Sequence, residues 1–295
     1  MKKVLFNAVS SVLAIISISI NATCVCTYAS DVSNYDENYV IEKYIGDPEL
    51  EAYVSEKQAL AERYYDALCS GNTEAIYEAQ DAYEKLETSN NSNFTLYSNE
   101  NNRYGNPPSS CTISLTHYTQ ENGHYCGPTT ALMILKKIGV TNITQYSLAN
   151  SLGTNNNGTA WYFTNGDSFS QFPMMTTLNN YQGYKYYIPS PMGAAGSNPL
   201  SEIQVKSYVV SATSYYYPIA LCGISTASGN GHLPNYPSSS IDHWITCIGY
   251  NNYGDSIYVD DPASGYSSDF FNVPNKYYIT SSNCSEFISP RGMIW

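Results

Sequence analysis

Positive charge is scarce in this chain of 295 residues. Thirteen Lys plus Arg stand against 25 Asp plus Glu, a formal net charge of −12. A nucleic-acid partner would need a basic face, so that class is excluded. There is no H-E-x-x-H, no C-x-x-C beyond the first thirty residues and no Gly-rich phosphate loop. Chemistry that depends on those metal and phosphate motifs therefore has no carrier here. "GISTASG" at 223–229 lacks the G-x-S-x-G spacing of a serine-hydrolase elbow. Histidine is rare, with four in all. A His117/His124/Cys126 metal site would want a fourth ligand that the sequence does not offer. No metal or other cofactor is expected.

Long apolar runs are also missing after the N-terminus. The one near the start, Val4 to Ile20, follows Lys2 and Lys3 and is broken by Asn7, Ser10, Ser11, Ser17 and Ser19. Small residues at Thr27 and Ala29 then suit cleavage near Ala29 or Ser30. Residues 1–30 read as a signal peptide rather than a retained anchor. A lipid anchor on Cys24 is disfavoured by Thr23 before it. The expected location is secreted or at the cell surface, with no membrane partner after cleavage. Of the eight cysteines, Cys24 and Cys26 leave with the signal. Cys69, Cys111, Cys126, Cys222, Cys247 and Cys284 remain. Export permits disulfides, but the spacings are irregular and a domain of this size can build a core without them, so no pairing is assigned.

Charge is unevenly distributed. Residues 31–105 carry 16 acidic and 5 basic side chains, whereas 106–295 carry 9 and 6. The acidic stretch reads as two helices. Asp47 caps the first, Pro48 opens it, Leu50, Tyr53, Leu60, Tyr64 and Ala67 form its stripe, and Gly71 stops it. The second starts at Asn72 or Thr73, with Ile76, Ala79, Tyr83 and Leu86 on one side. Two amphipathic helices cannot bury their own apolar faces and need a third surface. Residues 88–110 are Asn/Ser-rich and read as a linker open to proteolysis. Beyond Cys111 the texture changes. A helix follows Cys126 and ends near Lys136, Lys137 and Gly139. Shorter helices are expected at Gln145–Leu152 and Met174–Asn180. After Tyr184 the chain reads as strands, "YKYYIP", "YPIALCGI", "DHWITCIGYN", "DSIYVDD" and "KYYITS". A helix cluster followed by a strand meander is an α+β pattern.

The chemistry centres on "TQENGHYCGPTTALMIL", residues 119–135. Cys126 stands at a helix start, where exposed N–H groups and the positive dipole end favour thiolate over thiol. A buried core cysteine is the competing reading. Gln120 could turn its amide back to the same place and join the Cys126 N–H in holding an oxyanion; a surface glutamine is the bland alternative. His243 heads "HWITCIGY" and is the histidine best placed to exchange a proton with a thiol, although a satisfied core histidine would read the same. In "IYVDDP" the end of the next strand returns beside His243. One aspartate there could fix the imidazole. Asp260 competes with Asp261, because strand alternation sends neighbours to opposite faces. Either could instead be a turn-forming Asp before Pro262.

These blocks, Q-x5-C-G-P-T before a helix and H-W-apolar-G-Y followed by D-P, resemble peptidase domains related to the bacteriocin double-glycine leader peptidases, which are papain-like cysteine peptidases. "NITQYSLANSLGTNNNGTAW" and "MMTTLNNYQGYKYY" extend the likeness, which spans about 117–265. The resemblance implies a papain-like α+β fold with Cys126 as nucleophile, His243 as general base and acid, Asp261 as the orienting carboxylate and Gln120 as the oxyanion donor. It implies peptide or protein substrates. The acidic unit shares none of it, and no transporter segment accompanies the domain, so an extracellular substrate other than a leader peptide is expected. Residues 106–295 are thus expected to form the peptidase domain. Residues 31–105 are expected to be an acidic helical prosegment, acting as an intramolecular partner, or a spacer. The alternatives are an acyl-transferring transpeptidase or transglutaminase-like enzyme, and a non-catalytic binding protein on the same fold.

Overall fold

The computed structural model describes residues 47–90, 108–165, 169–193, 196 and 198–295. The expected signal peptide and most of the expected linker lie outside the described residues, as does the beginning of the acidic unit.

Asp47 caps helix α1 (Pro48–Ser70) by accepting from the amides of Glu49 and Leu50, and Gly71 closes it in the left-handed region at φ 64°. Helix α2 (Thr73–Asn90) follows directly and runs into the stretch expected as linker. The chain then enters the sheet through β1 (Cys111–Thr112). Three helices come next: α3 (Cys126–Lys137), α4 (Gln145–Ser151) and α5 (Pro173–Gln182). A small ribbon, β2 (Phe163–Asn165) with β3 (Phe169–Gln171), separates the last two.

The remaining strands are β4 (Pro189–Ser190), β5 (Ile219–Ser225), β6 (Ile241–Asn251), β7 (Ser256–Asp260), β8 (Lys276–Thr280) and β9 (Gly292–Ile294). They form an antiparallel sheet in the order β4-β9-β5-β6-β7-β8, and β1 pairs with β6 beyond the end of β5. There the register of β6 shifts between Cys247 and Gly249. Gly249 is required at that point, since a Cβ would lie 2.1 Å from the Cys111 carbonyl oxygen. The architecture is the expected α+β one, with the Cys126 helix packed on an antiparallel sheet.

The region after Tyr184 is less purely strand than expected. Of "YKYYIP" only Pro189 is in a strand, although Ile188 exchanges two backbone hydrogen bonds with Trp295 at 2.9 and 3.0 Å. Two helices also interrupt the meander, α6 (Glu202–Ser214) and α7 (Ser281–Ile288). Helix α6 opens with a Ser201/Gln204 capping box, a signal that "SEIQ" carries. Its apolar periodicity is blurred because it is covered on two sides, by the sheet and by α1.

Alternating residues of β6 divide the layers. The Trp244 indole donates to Thr159 O at 3.0 Å and packs near Trp161, on the α3–α5 side. Cys247 faces the other way, toward Cys284 of α7, whose thiol is pushed up by burial and, to a smaller extent, by Cys247. The α1–α2 hairpin lies outside α6 on this second side. Its apolar stripe is buried there, which supplies the third surface the two helices needed. At the centre of the contact, Lys57 and Glu87 form an ion pair at 3.0 Å with both side chains fully buried. The Lys57 ammonium also donates to Tyr186 O at 2.6 Å and stands 3.5 Å from the Tyr186 ring centroid. Tyr53 donates to Glu87 at 2.8 Å, and Tyr208 of α6 donates to Glu62 at the same distance.

Candidate active site

Helix α3 begins on Cys126 itself, and the thiol is fully buried. Tyr125 precedes it as N-cap without a side-chain hydrogen bond to the helix. The first-turn amides are therefore not consumed by a cap, which leaves the end of the helix suited to negative charge. The residue after the cysteine has to be glycine. A Cβ on Gly127 would sit 2.2 Å from Thr159 Oγ1, so the loop carrying Thr159 presses directly on the first turn. This accounts for the Gly in "CGPTT".

His243 enters from the start of β6, opposite Gly223 of β5, and is 1% exposed. Asp261 follows the last residue of β7, where Asp260 pairs with Thr246. Alternation then puts Asp261 on the His243 face and Asp260 on the other. His243 Nε2 and Asp261 Oδ1 are 2.8 Å apart. Burial works to raise the Asp261 carboxyl, but His243, the Tyr277 hydroxyl and the Ala263 amide more than offset it, so the group is held below the usual carboxylate range. With Nε2 engaged by Asp261, the ring nitrogen on the opposite edge, Nδ1, is the one that can exchange a proton with a thiol.

Two tyrosines complete the carboxylate's shell, and neither is legible in the sequence. Tyr236 donates to both Asp261 oxygens at 3.0 and 2.8 Å, and Tyr277 donates to Oδ2 at 2.6 Å. Nothing distinguishes them among 30 tyrosines. Tyr236 also packs against the imidazole, with ring centroids 5.6 Å apart. Burial pushes the Tyr236 phenol up strongly, Asp261 adds to this, and negative charge on Cys126 contributes too. The same charge acts with burial to raise Asp242, which Arg291 counters at 2.8 Å. Cys126 therefore lies within electrostatic reach of Tyr236, which contacts both His243 and Asp261, and of Asp242, which precedes His243.

Asp260 goes elsewhere. It pairs with His117 Nδ1 at 2.6 Å and with Lys276 at 3.4 Å. His117 is thus committed to a carboxylate, and among the described residues no three of His, Cys, Asp and Glu gather where they could hold a metal ion. Gln120 is 4% exposed, and its backbone N–H donates to Pro262 O at 2.8 Å, one residue beyond Asp261. Its Nε2 donates to Asn122 O at 2.9 Å, while its buried Oε1 has no hydrogen-bond partner. His124 lies in the same loop; its backbone N–H donates to Asn122 Oδ1 at 2.9 Å. Among the described residues the cysteines other than Cys126 are also thiols: Cys69 is exposed, and Cys111, Cys222, Cys247 and Cys284 are buried. Burial pushes the Cys247 thiol up to about 12, which suits a core residue.

No curated protein matches the chain. A family model does, over residues 112–285, from β1 to within α7 and without the α1–α2 hairpin. That stretch contains the helix begun by Cys126 and the sheet that joins His243 to Asp261, and on this ground the chain belongs to the Peptidase_C39 like family.

Proposed function

We propose that the chain is an exported cysteine peptidase that cleaves peptide bonds through Cys126, His243 and Asp261, with Gln120 as oxyanion donor. The observation that carries this reading is the buried 2.8 Å pair between His243 and Asp261, which engages one imidazole nitrogen and orients the other. The Cys126 thiolate attacks the scissile carbonyl carbon, and the carbonyl π electrons move to oxygen. The Gln120 amide and the Cys126 N–H stabilise that oxygen. As the C–N bond breaks, the imidazolium of His243 protonates the departing amine, leaving a thioester. Water then attacks the thioester and gives its proton to His243, and the thiolate departs.

Gln120 Nε2 carries two N–H bonds and gives one of them to Asn122 O, which supports its part as a donor. Gln120→Ala is expected to lower kcat by roughly 10²–10³ with little change in KM, because the donor acts mostly in the transition state. Steady-state kinetics on one peptide check this, and a change confined to KM would reassign Gln120 to substrate binding.

The two aspartates give a second test. Asp261→Ala is expected to cripple turnover. Asp260→Ala should act mainly on stability, since its partners are His117 and Lys276. Measuring kcat and the thermal midpoint of both variants separates the effects. Full turnover in Asp261→Ala would remove that residue from the site.

A further inference from the structure

Gln145 is the first residue of α4, on a helix that carries none of the groups assigned above, yet it is 3% exposed and both ends of its amide are used. Its Nε2 donates to Thr119 O at 2.8 Å, and its Oε1 accepts from the Glu121 N–H at 2.8 Å. The two hydrogen bonds bracket Gln120 along the backbone, one on each flanking residue. The residue between them donates its own N–H to Pro262 O at 2.8 Å, on the side of Asp261. The Gln120 backbone is therefore held from two directions, by α4 and by the turn after β7.

The α4 anchor is itself fixed. Thr144 and Ser147 form a reciprocal capping box around the helix start, and α4 packs on α3, the helix that carries Cys126. Gln145 thus ties the loop bearing the oxyanion donor to the helix bearing the nucleophile. An amide is suited to this task because it offers a donor and an acceptor at once, and the Thr119 carbonyl and Glu121 N–H need one of each. A leucine or methionine of similar size would fill the space and satisfy neither.

Resting on the peptidase reading, we propose that Gln145 is a positioning residue for catalysis: it sets the distance and direction of the Gln120 amide relative to Cys126 without touching the substrate. Displacement of a catalytic group by about 1 Å can cost on the order of 10²-fold in rate. Loosening one of two anchors should cost less. Gln145→Met is expected to lower kcat about tenfold and to leave KM within about twofold.

The test is a double-mutant cycle on the full chain, using a fluorogenic peptide that the unmodified protein cleaves in a Cys126-dependent way. If Gln145 acts through Gln120, the Gln120→Ala/Gln145→Met protein should be no slower than Gln120→Ala alone. Inhibition by a peptide aldehyde, whose thiohemiacetal oxygen occupies the oxyanion position, should weaken in parallel with kcat. Alkylation of Cys126 by iodoacetamide, which forms no oxyanion, should keep its rate. If Gln145→Met does not fold, Gln145→Glu replaces it in the same cycle, keeping the acceptor for Glu121 and losing the donor to Thr119. Equal losses from the Gln145 change with and without Gln120, or an equal fall in the alkylation rate, would overturn the positioning role and leave the peptidase reading intact. Absence of any Cys126-dependent turnover in the unmodified protein would overturn both.

Discussion

Cys126→Ala is expected to reduce peptide turnover by about 10⁴-fold or more while the protein stays folded, because the group that forms the covalent intermediate is lost and only binding and oxyanion contacts remain. Two cysteines serve as controls. Cys222 and Cys247 are buried in strands β5 and β6, as Cys126 is buried at the start of α3. Their alanine variants remove a similar amount of apolar contact without touching the proposed chemistry, so they should lose some stability and keep turnover. Thermal melts and steady-state rates on the three variants distinguish a nucleophile from a core thiol. Intact activity in Cys126→Ala, or equal loss in all three, would remove Cys126 from its proposed role. Mass spectrometry after a thiol-directed peptide inhibitor adds an independent reading, with modification expected on Cys126.

The second large effect is expected at the interface of the α1–α2 hairpin. Lys57 and Glu87 are both fully buried between the hairpin and the domain. Burial lowers the Lys57 ammonium to about 8 and raises the Glu87 carboxyl, and each partner counters the shift of the other. Lys57→Met leaves Glu87 buried without its cation. Breaking such a pair from one side costs about 3–5 kcal/mol, whereas replacing both partners by apolar groups can be neutral. We therefore expect Lys57→Met to lower the thermal midpoint by on the order of 10 °C, and Lys57→Met/Glu87→Leu to recover most of it. Calorimetry on the full chain checks both values. A double variant no more stable than Lys57→Met would show that the pair is net stabilising over an apolar replacement.

This interface also bears on the role of residues 31–105. The sequence suggests an inhibitory prosegment, and we retain that as a proposal with a definite test. The hairpin is seated on α6 and on Tyr186, the side of the sheet away from α3. A form lacking residues 31–105 should accordingly be less stable than the longer one. If the segment also restrains the enzyme, the shorter form will turn over faster per folded molecule, and added 31–105 peptide will slow it. Equal rates with no effect of the peptide would leave the hairpin as a support or tether.

Local chemistry makes much of the proposed site legible in the sequence. A Cys-Gly-Pro at the head of an apolar helix, a histidine opening a strand and an aspartate closing the next one are all local statements about element ends. They suffice because a short connection between antiparallel strands leaves few ways to bring the start of β6 beside the end of β7. Alternation alone leaves the choice between Asp260 and Asp261 open, and the family resemblance favours Asp261. The contacts show the two aspartates facing different partners, His243 for one and His117 for the other. Helix α6 escapes a reading by periodicity for the opposite reason. Burial on two sides removes the polar face that makes a helix visible in sequence.

By itself, then, the sequence determined the elements whose causes lie within a few residues. These include the Asp47 cap, the Gly71 stop, the start of α3 at Cys126 and the periodicity of the acidic hairpin. Only the tertiary structure decided which distant side chains meet. It brought Tyr236 and Tyr277 to Asp261, Gln145 to both sides of Gln120, and Lys57 to a box of aromatic rings. The physical reason is that a hydrogen bond between residues far apart in the chain depends on the packing of whole layers. A tyrosine or glutamine reads the same in sequence whether its polar tip ends in water or on a buried partner.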